Sequence, residues 1–344
     1  MGHNRVRPKY VQAERAVISS GIPVASPRGM SKSLFTISRQ PMSLDYSSLL
    51  PIVPTSIRKN VALAGLTSMR VGGAAEYFTS PRVANELIEA ILWADSHQLS
   101  VTMIGAGTNL LISDAGLQGL VICTRHLRGI EFDQESTQIT AAAGEPVARL
   151  AMLAANYGWQ GFEWAVGIPG TVGGLVVMNA GAQGGCAADC ITAVQLVSLR
   201  GEPKAIAPQD LHFRYRHSAL QGSDYIVTGA TIKLQGGGDP QAIAADTDAK
   251  LKVRHKSQPY HLPNCGSVFR NPLPQFAAKL IQDAGLKGFQ IGNAQVSELH
   301  ANFIVNLGGA KASDIFSLIQ HIQKVISDRY GVLLETEVKM IGHF

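Results

Sequence analysis

Cysteine is scarce in this chain, with four (Cys123, Cys186, Cys190 and Cys265) among 344 residues. So few thiols exclude a disulfide framework in a chain this long. Cys186 and Cys190 have C-x-x-x-C spacing with no second His or Cys pair nearby, so free thiols are expected and a metal site is not. No apolar run approaches the ~20 residues that would span a bilayer. Charged residues make up only 16% against 46% hydrophobic, which is too apolar for a disordered chain. A basic body is lacking too. Residues 1–42 hold seven Lys/Arg and one Glu, leaving 23 basic and 24 acidic residues for the remainder of a +5 chain. The excess charge belongs to the leading segment, which argues against nucleic-acid binding by the body. We expect a cytoplasmic protein in a reducing compartment, a monomer with neither nucleic-acid nor membrane partners.

Residues 1–42 have no sustained apolar stretch and therefore do not read as a secretory signal. They are expected to be a disordered or dispensable extension, with Met42 an alternative start. The rest suffices for two or three compact units. Residues 82–98 repeat Val83, Leu87, Ile91 and Ala94 at helical spacing, and short apolar runs at 99–105 and 117–124 read as strands, a β-α-β beginning. Pro146 and Gly158 punctuate a helix over 144–158. Residues 193–199 and 225–234 read as strands, and "QGGGDP" (235–240) as a linker. Helices follow at 241–256, 274–284 and 313–330, the last from a Ser313 cap to Gly331 with Ile315, Ile319, Ile322 and Ile326 on one face. The chain ends in a strand-like segment. The fold class is α+β: two lobes at 43–122 (joined by a final strand at 331–344) and 123–237, and a smaller domain at 238–330.

Five stretches could carry chemistry. "IGAGTNLLI" (104–112) offers Gly105 and Gly107 after a strand, but lacks the third glycine and the helix start of a dinucleotide fingerprint. It could hold a pyrophosphate on free N–H groups, Thr108 and Asn109, or be an ordinary glycine turn. "GIPGTVGGLVVMNAGAQGG" (167–185) has seven glycines in nineteen residues. That density implies backbone held close to a flat polar ligand, or a tight corner between strands. In "FRYRHS" (213–218), strand alternation would put Arg214 and Arg216 on one face, apt for anions. In "NCGSVFRNP" (264–272) a single hydroxyl, Ser267, sits in a compact turn. In "LETEVKMIG" (334–342), Glu335 and Glu337 share one side of a strand. None settles function alone.

Together, from about Leu66 to Ile341, these stretches resemble the UDP-N-acetylenolpyruvoylglucosamine reductases. The resemblance is carried by "TSMRVGGAAEYF", "GAGTNLLI", "GIPGTVGGLVVMNAGA", "YRHS", "CGSVFRNP", "KLIQDAGLKGFQIGNAQVSELHANFIVN" and "ETEVKMIG", in that order. It implies a two-lobed FAD-binding domain of the vanillyl-alcohol-oxidase type plus a substrate-binding domain. NADPH would reduce a non-covalent FAD, then leave for UDP-N-acetylenolpyruvoylglucosamine, which receives hydride at C3 and a proton at C2 in peptidoglycan synthesis. By motif, the proton donor falls on Ser267, and Arg216 and Glu337 fall on the groups that stabilise the enol intermediate. FAD contacts fall on Arg70, Gly72, Gly105, Gly107, Thr108 and Asn109. Others fall on Gly167, Ile168, Pro169, Gly170, Thr171, Gly173, Gly174, Asn179, Ala180 and Gly181. Tyr215, Arg254 and Asn271 are candidate sugar-nucleotide contacts.

The sequence departs from some members of that family. It shows no long tyrosine-bearing insertion, so it resembles the shorter subtype. Ser257, with Lys256 adjacent, stands where some members carry a lysine, and His217 replaces the usual Asn or Asp. Two other readings are an oxidase of the same fold and a non-catalytic UDP-sugar binder. The first usually tethers FAD through a histidine that "GAGTNLLI" does not offer.

Overall fold

The computed structural model describes residues 56–344. The expectations for residues 1–42 lie outside that range. The first lobe contains β1 (Arg58–Ala62), β2 (Ala74–Thr79), α1 (Ala84–Ser96), β3 (Val101–Ile104), β4 (Leu110–Ile112) and β5 (Leu117–Cys123). Its sheet runs β1-β2-β5-β3, with β2 and β3 both parallel to β5. A nearly continuous apolar run makes β5 a strand buried on both faces, as the two-residue side-chain period requires. Leu120 and Ile122 join α1 in a core shared with the second lobe. Val121 and Cys123 point into a separate core with Leu63, Phe78 and Ile104.

The second lobe has β6 (Ile130–Asp133), β7 (Gln138–Ala142), α2 (Val147–Asn156), α3 (Val172–Val177), β8 (Gly181–Ala182), β9 (Gly185–Cys186), β10 (Ile191–Ser198), β11 (Pro203–Ile206) and β12 (Tyr225–Lys233). Its antiparallel sheet is ordered β11-β10-β12-β7-β6. The next helix, α4 (Pro240–Ser257), starts at an Asp239 cap and packs on α2 and the 163–167 turn. By packing, α4 therefore goes with the second lobe, and the third unit begins near 258 rather than at 238. The glycine-rich "QGGGDP" bends the chain without separating domains.

The third unit comprises α5 (Ala277–Asp283), β13 (Gln290–Ile291), β14 (Ala294–Val296), β15 (Ile304–Asn306) and α6 (Ala312–Tyr330). Ile315, Ile319, Ile322 and Ile326 of α6 are all at most 1% exposed, each contributing roughly 1.5–3 kcal/mol of burial. Gly331 closes α6 in the left-handed conformation at φ 67°. At the other end, the expected Ser313 cap is incorrect. The first turn is capped from the first lobe, where Asp114 accepts from Ala312 N at 2.8 Å and Ser313 N at 2.9 Å. The final strand, β16 (Lys339–Ile341), pairs parallel with β4, which returns the chain end to the first lobe.

Candidate active site

The 105–109 loop runs from β3 into a strand, not a helix, so the dinucleotide fingerprint is excluded. Its carbonyls are tied down on one side. Arg125 Nη2 donates to Ala106 O and Leu66 O, both at 3.0 Å. Gly107 O accepts from Ser68 N at 3.0 Å and Ser68 Oγ at 3.3 Å. Gly107 must be glycine, because φ is +68° and an added Cβ would overlap Leu66 O. Among the described residues, the amides of Ala106, Gly107 and Thr108 donate to no protein acceptor. A loop with its carbonyls turned away and its N–H groups free forms an anion-binding concavity.

The glycine corner lies opposite. Val147 N donates to Gly170 O and Val172 N to Glu145 O, so the chain is pinned on both sides of Thr171. The corner then opens into the short helix α3, not the tight turn between strands weighed from sequence. Thr171 Oγ1 is buried without a hydrogen-bond partner, facing Gly105. Buried hydroxyls are rarely left unsatisfied, so this one marks a position for an absent acceptor or donor. Arg254 crosses Gly167 closely, so a Cβ there would push the arginine side chain off its present path.

"FRYRHS" is not a strand, and Arg214 and Arg216 do not share a face. Arg214 N donates to His217 O and His217 N to Arg214 O, closing a tight turn with Arg216 at φ +54°. Such a conformation costs a non-glycine residue about 1–3 kcal/mol and persists only where its surroundings enforce it. Here they do: Arg216 Nε donates to Glu337 Oε1 at 2.6 Å, with only 22% and 14% of the two side chains exposed. Arg214 is exposed, and so is Tyr215, whose ring packs beneath the Arg216 guanidinium at 5.2 Å.

The Ser267 turn is fixed by two asparagines. Asn264 Oδ1 accepts from Gly266 N, while its Nδ2 donates to Pro259 O and Leu262 O. Buried Asn302 pairs its side-chain amide with both backbone groups of Phe269, and its carbonyl accepts from Val268 N. Residues 268–270 lie antiparallel to 335–337: Glu337 N donates to Val268 O at 2.7 Å and Arg270 N to Glu335 O at 2.9 Å. This contact brings Glu337 beside Ser267. Glu335 and Glu337 do not share a strand face; Glu335 is 77% exposed and reaches only Arg270. Cys265 next to the turn is buried, and burial, with the Glu337 charge adding to it, pushes its thiol up to about 12. It is not a nucleophile at neutral pH.

One cleft gathers these parts. A cavity of about 170 Å³ is lined by Ser267, Arg216, Glu337, Thr108, Asn109, Ile168, Pro169, Gly170, Gly174, Ala180, Gly181 and Arg254. An adjoining space of about 310 Å³ shares its Thr108–Pro169–Tyr260 wall and adds Arg70. Other expected site residues play structural parts. Asn179 spends its amide on Arg214 O and Ala188 N. Gly72 packs on Ile112, and Gly173 on Ala143. Asn271 caps α5 through Ala277 N, and it and Tyr215 are off the cleft wall. Asn109 lines the cleft but donates to Glu337 O at 3.2 Å. Lys256 and Ser257 are exposed on α4, away from the wall. Sequence reasoning missed Tyr260, Gln258, Asn264, Asn302 and Arg125. Asn264 and Asn302 stood inside quoted motifs; the other three did not.

A two-lobed α+β body with a glycine cradle, an anion-binding loop and an unsatisfied buried hydroxyl is the architecture of an FAD-dependent oxidoreductase. The model of the FAD binding domain matches residues 75–206, and that of the UDP-N-acetylenolpyruvoylglucosamine reductase C-terminal domain matches 258–341. The chain is 54% identical over 295 residues to the UDP-N-acetylenolpyruvoylglucosamine reductase of a Nostoc species, covering 86% of this chain and 89% of the relative. To that of Synechococcus elongatus it is 51% identical, covering 84% and 96%. The crystal structure of the reductase from Thermus caldophilus superposes with a TM-score of 0.70 at 31% identity, covering 83% of this chain and 99% of that one. The chain belongs to the UDP-N-acetylenolpyruvoylglucosamine reductase family.

Proposed function

We infer that the protein reduces UDP-N-acetylenolpyruvoylglucosamine to UDP-N-acetylmuramate for peptidoglycan synthesis, with NADPH as reductant and FAD as cofactor. The observation that carries this reading is the convergence of Ser267, Arg216 and Glu337 on one wall of the cleft that holds the glycine cradle. FAD, when bound, supplies hydride transfer from NADPH to the substrate. The free amides of 106–108 and the Thr171 hydroxyl would hold its diphosphate and polar edge, and Gly170, Gly174 and Gly181 would give it room.

Hydride arrival at C3 drives an electron pair toward C2 and the conjugated carboxylate. Arg216 places a cation where that charge grows, and Glu337 fixes the guanidinium in a partly desolvated setting where such fields act strongly. Ser267 donates its Oγ proton to C2, and water restores it. A hydroxyl is a weak acid, so position matters more than pKa. The turn that fixes Ser267 supplies that position, and among the described residues its hydroxyl has no intramolecular partner. Arg254 and Arg70, on the rest of the wall, are suited to a nucleotide diphosphate. We read FAD as non-covalent, the protein as a cytoplasmic monomer whose four thiols are free, and its cleft as built by one chain.

The direct experiment measures NADPH oxidation with and without the enolpyruvyl sugar nucleotide. Substrate-dependent consumption and release of all yellow colour on acid precipitation are expected. Consumption indifferent to the substrate would overturn the reading.

A further inference from the structure

Arg216 holds a left-handed backbone conformation inside a tight turn, and its carbonyl is gripped by groups that are not themselves on the cleft wall. Gln221 Nε2 donates to Arg216 O at 3.0 Å and to Val177 O at 3.0 Å. Arg270 Nη2 approaches the same Arg216 carbonyl at 3.4 Å. The Gln221 side-chain oxygen accepts from Lys339 Nζ at 2.9 Å. One amide thus joins three segments: the C-terminal end of α3, the arginine turn, and β16 two residues beyond Glu337. Ser218 Oγ also donates to Val177 O at 2.7 Å, anchoring the far side of the turn to α3. The other half of α3 carries Gly174 and Leu175 on the cleft wall.

Rotating the Gln221 amide would break its bonds to Val177, Arg216 and Lys339, because its N–H and C=O ends are not interchangeable. Its link to Lys339 is partly desolvated: burial first, and the Arg270 charge second, hold that ammonium below the usual lysine range. A desolvated lysine gains more from a fixed acceptor than one in water.

We propose that Gln221 is a positioning residue for the reduction step, locking the Arg216 turn against α3 and β16 so that the guanidinium stays in register with Glu337. It touches neither end of the ion pair and acts through the Arg216 backbone. This rests on the role of Arg216 inferred above.

Gln221→Met keeps the length and removes both polar ends. Stopped-flow mixing then reads the two half-reactions separately. Flavin content and reduction by NADPH should stay within about twofold of the parent, while reoxidation by the enolpyruvyl substrate slows about ten- to a hundredfold, the scale of a displaced catalytic group. In an Arg216→Lys background the same change should add nothing further, since the two act as a unit. Equal slowing of both half-reactions, additive effects in the double variant, or unchanged reoxidation would each overturn the proposal. If Arg216→Lys alone leaves reoxidation unchanged, the arginine's assigned role fails and the proposal falls with it. Should Gln221→Met not fold, Lys339→Met cuts only the link to β16. It should likewise slow reoxidation alone; no slowing, or slowing of both steps, would overturn the strut.

Discussion

Arg216 and Glu337 stand 121 positions apart in the chain and meet at 2.6 Å. Each is supported from behind: Arg216 by Gln221, and Glu337 by Asn109 and Val268. The chain's own contacts hold the pair together, and pre-organisation of this kind avoids reorientation during a reaction.

Glu337→Gln should leave the Arg216 charge without its counterion in a largely buried position. Reoxidation by substrate should fall by about a hundredfold, the scale seen when a charge-stabilising group is removed. Alanine changes at the two positions should be strongly non-additive. Single-turnover kinetics of the two single variants and the double variant check this. Additive effects would mean that the residues act independently.

Ser267→Ala should retain FAD and its reduction by NADPH, since neither step needs that proton. Reoxidation should slow by at least ~10²-fold, as for loss of a positioned general acid. Ser267→Cys should recover part of the loss. An alanine variant that reoxidises at the parental rate would reduce Ser267 to a turn residue.

Arg125→Met should weaken FAD binding about tenfold or more, because the carbonyls of Leu66 and Ala106 lose the donor that turns them away from the anion loop. Arg125→Lys should rescue little, as an ammonium lacks the planar fork. Titration of the apoprotein with FAD measures both. Unchanged affinity would show that the loop holds its shape without the guanidinium.

Asp114 ties the first lobe to α6, and Asp114→Ala should cost about 1 kcal/mol, a typical helix-cap loss tempered by the exposure of the site. Partial burial pushes its carboxyl up, but the amides of Ser313 and Ala312, the Ser313 hydroxyl and the Lys311 charge outweigh this and hold it below the usual range. With the folded pKa depressed, the contribution is complete above the ordinary aspartate value and disappears as pH falls through the folded one. Denaturant titrations at pH 7 and pH 3 should show the parent–variant gap narrowing in acid. A pH-independent gap would contradict the linkage.

Cys265 should resist alkylation in the native protein. With its thiol near 12, only about one molecule in ten thousand carries the thiolate at pH 8. Partly exposed Cys186 should react first. Mass mapping after iodoacetamide treatment tests the order, and preferential labelling of Cys265 would contradict it.

Much of this protein was legible in the residues. Isoleucines at helical spacing made α6, the apolar run at 117–123 made a strand buried on both faces, and the missing third glycine correctly argued against a dinucleotide fold. Motif order carried the family. These signals are local, because side-chain period and glycine density record burial and close approach along one segment. Tertiary structure alone decided the rest. It turned "FRYRHS" from an alternating strand into a strained turn, took the α6 cap from Asp114 instead of Ser313, and packed α4 on the second lobe. It also diverted Asn179 and Asn271 to backbone support, and recruited Gln221 and Arg125, which no pattern marks. A polar side chain satisfies its hydrogen bonds with whatever the folded chain brings within about 3 Å. That proximity belongs to the path of the whole chain, not to any window of its sequence.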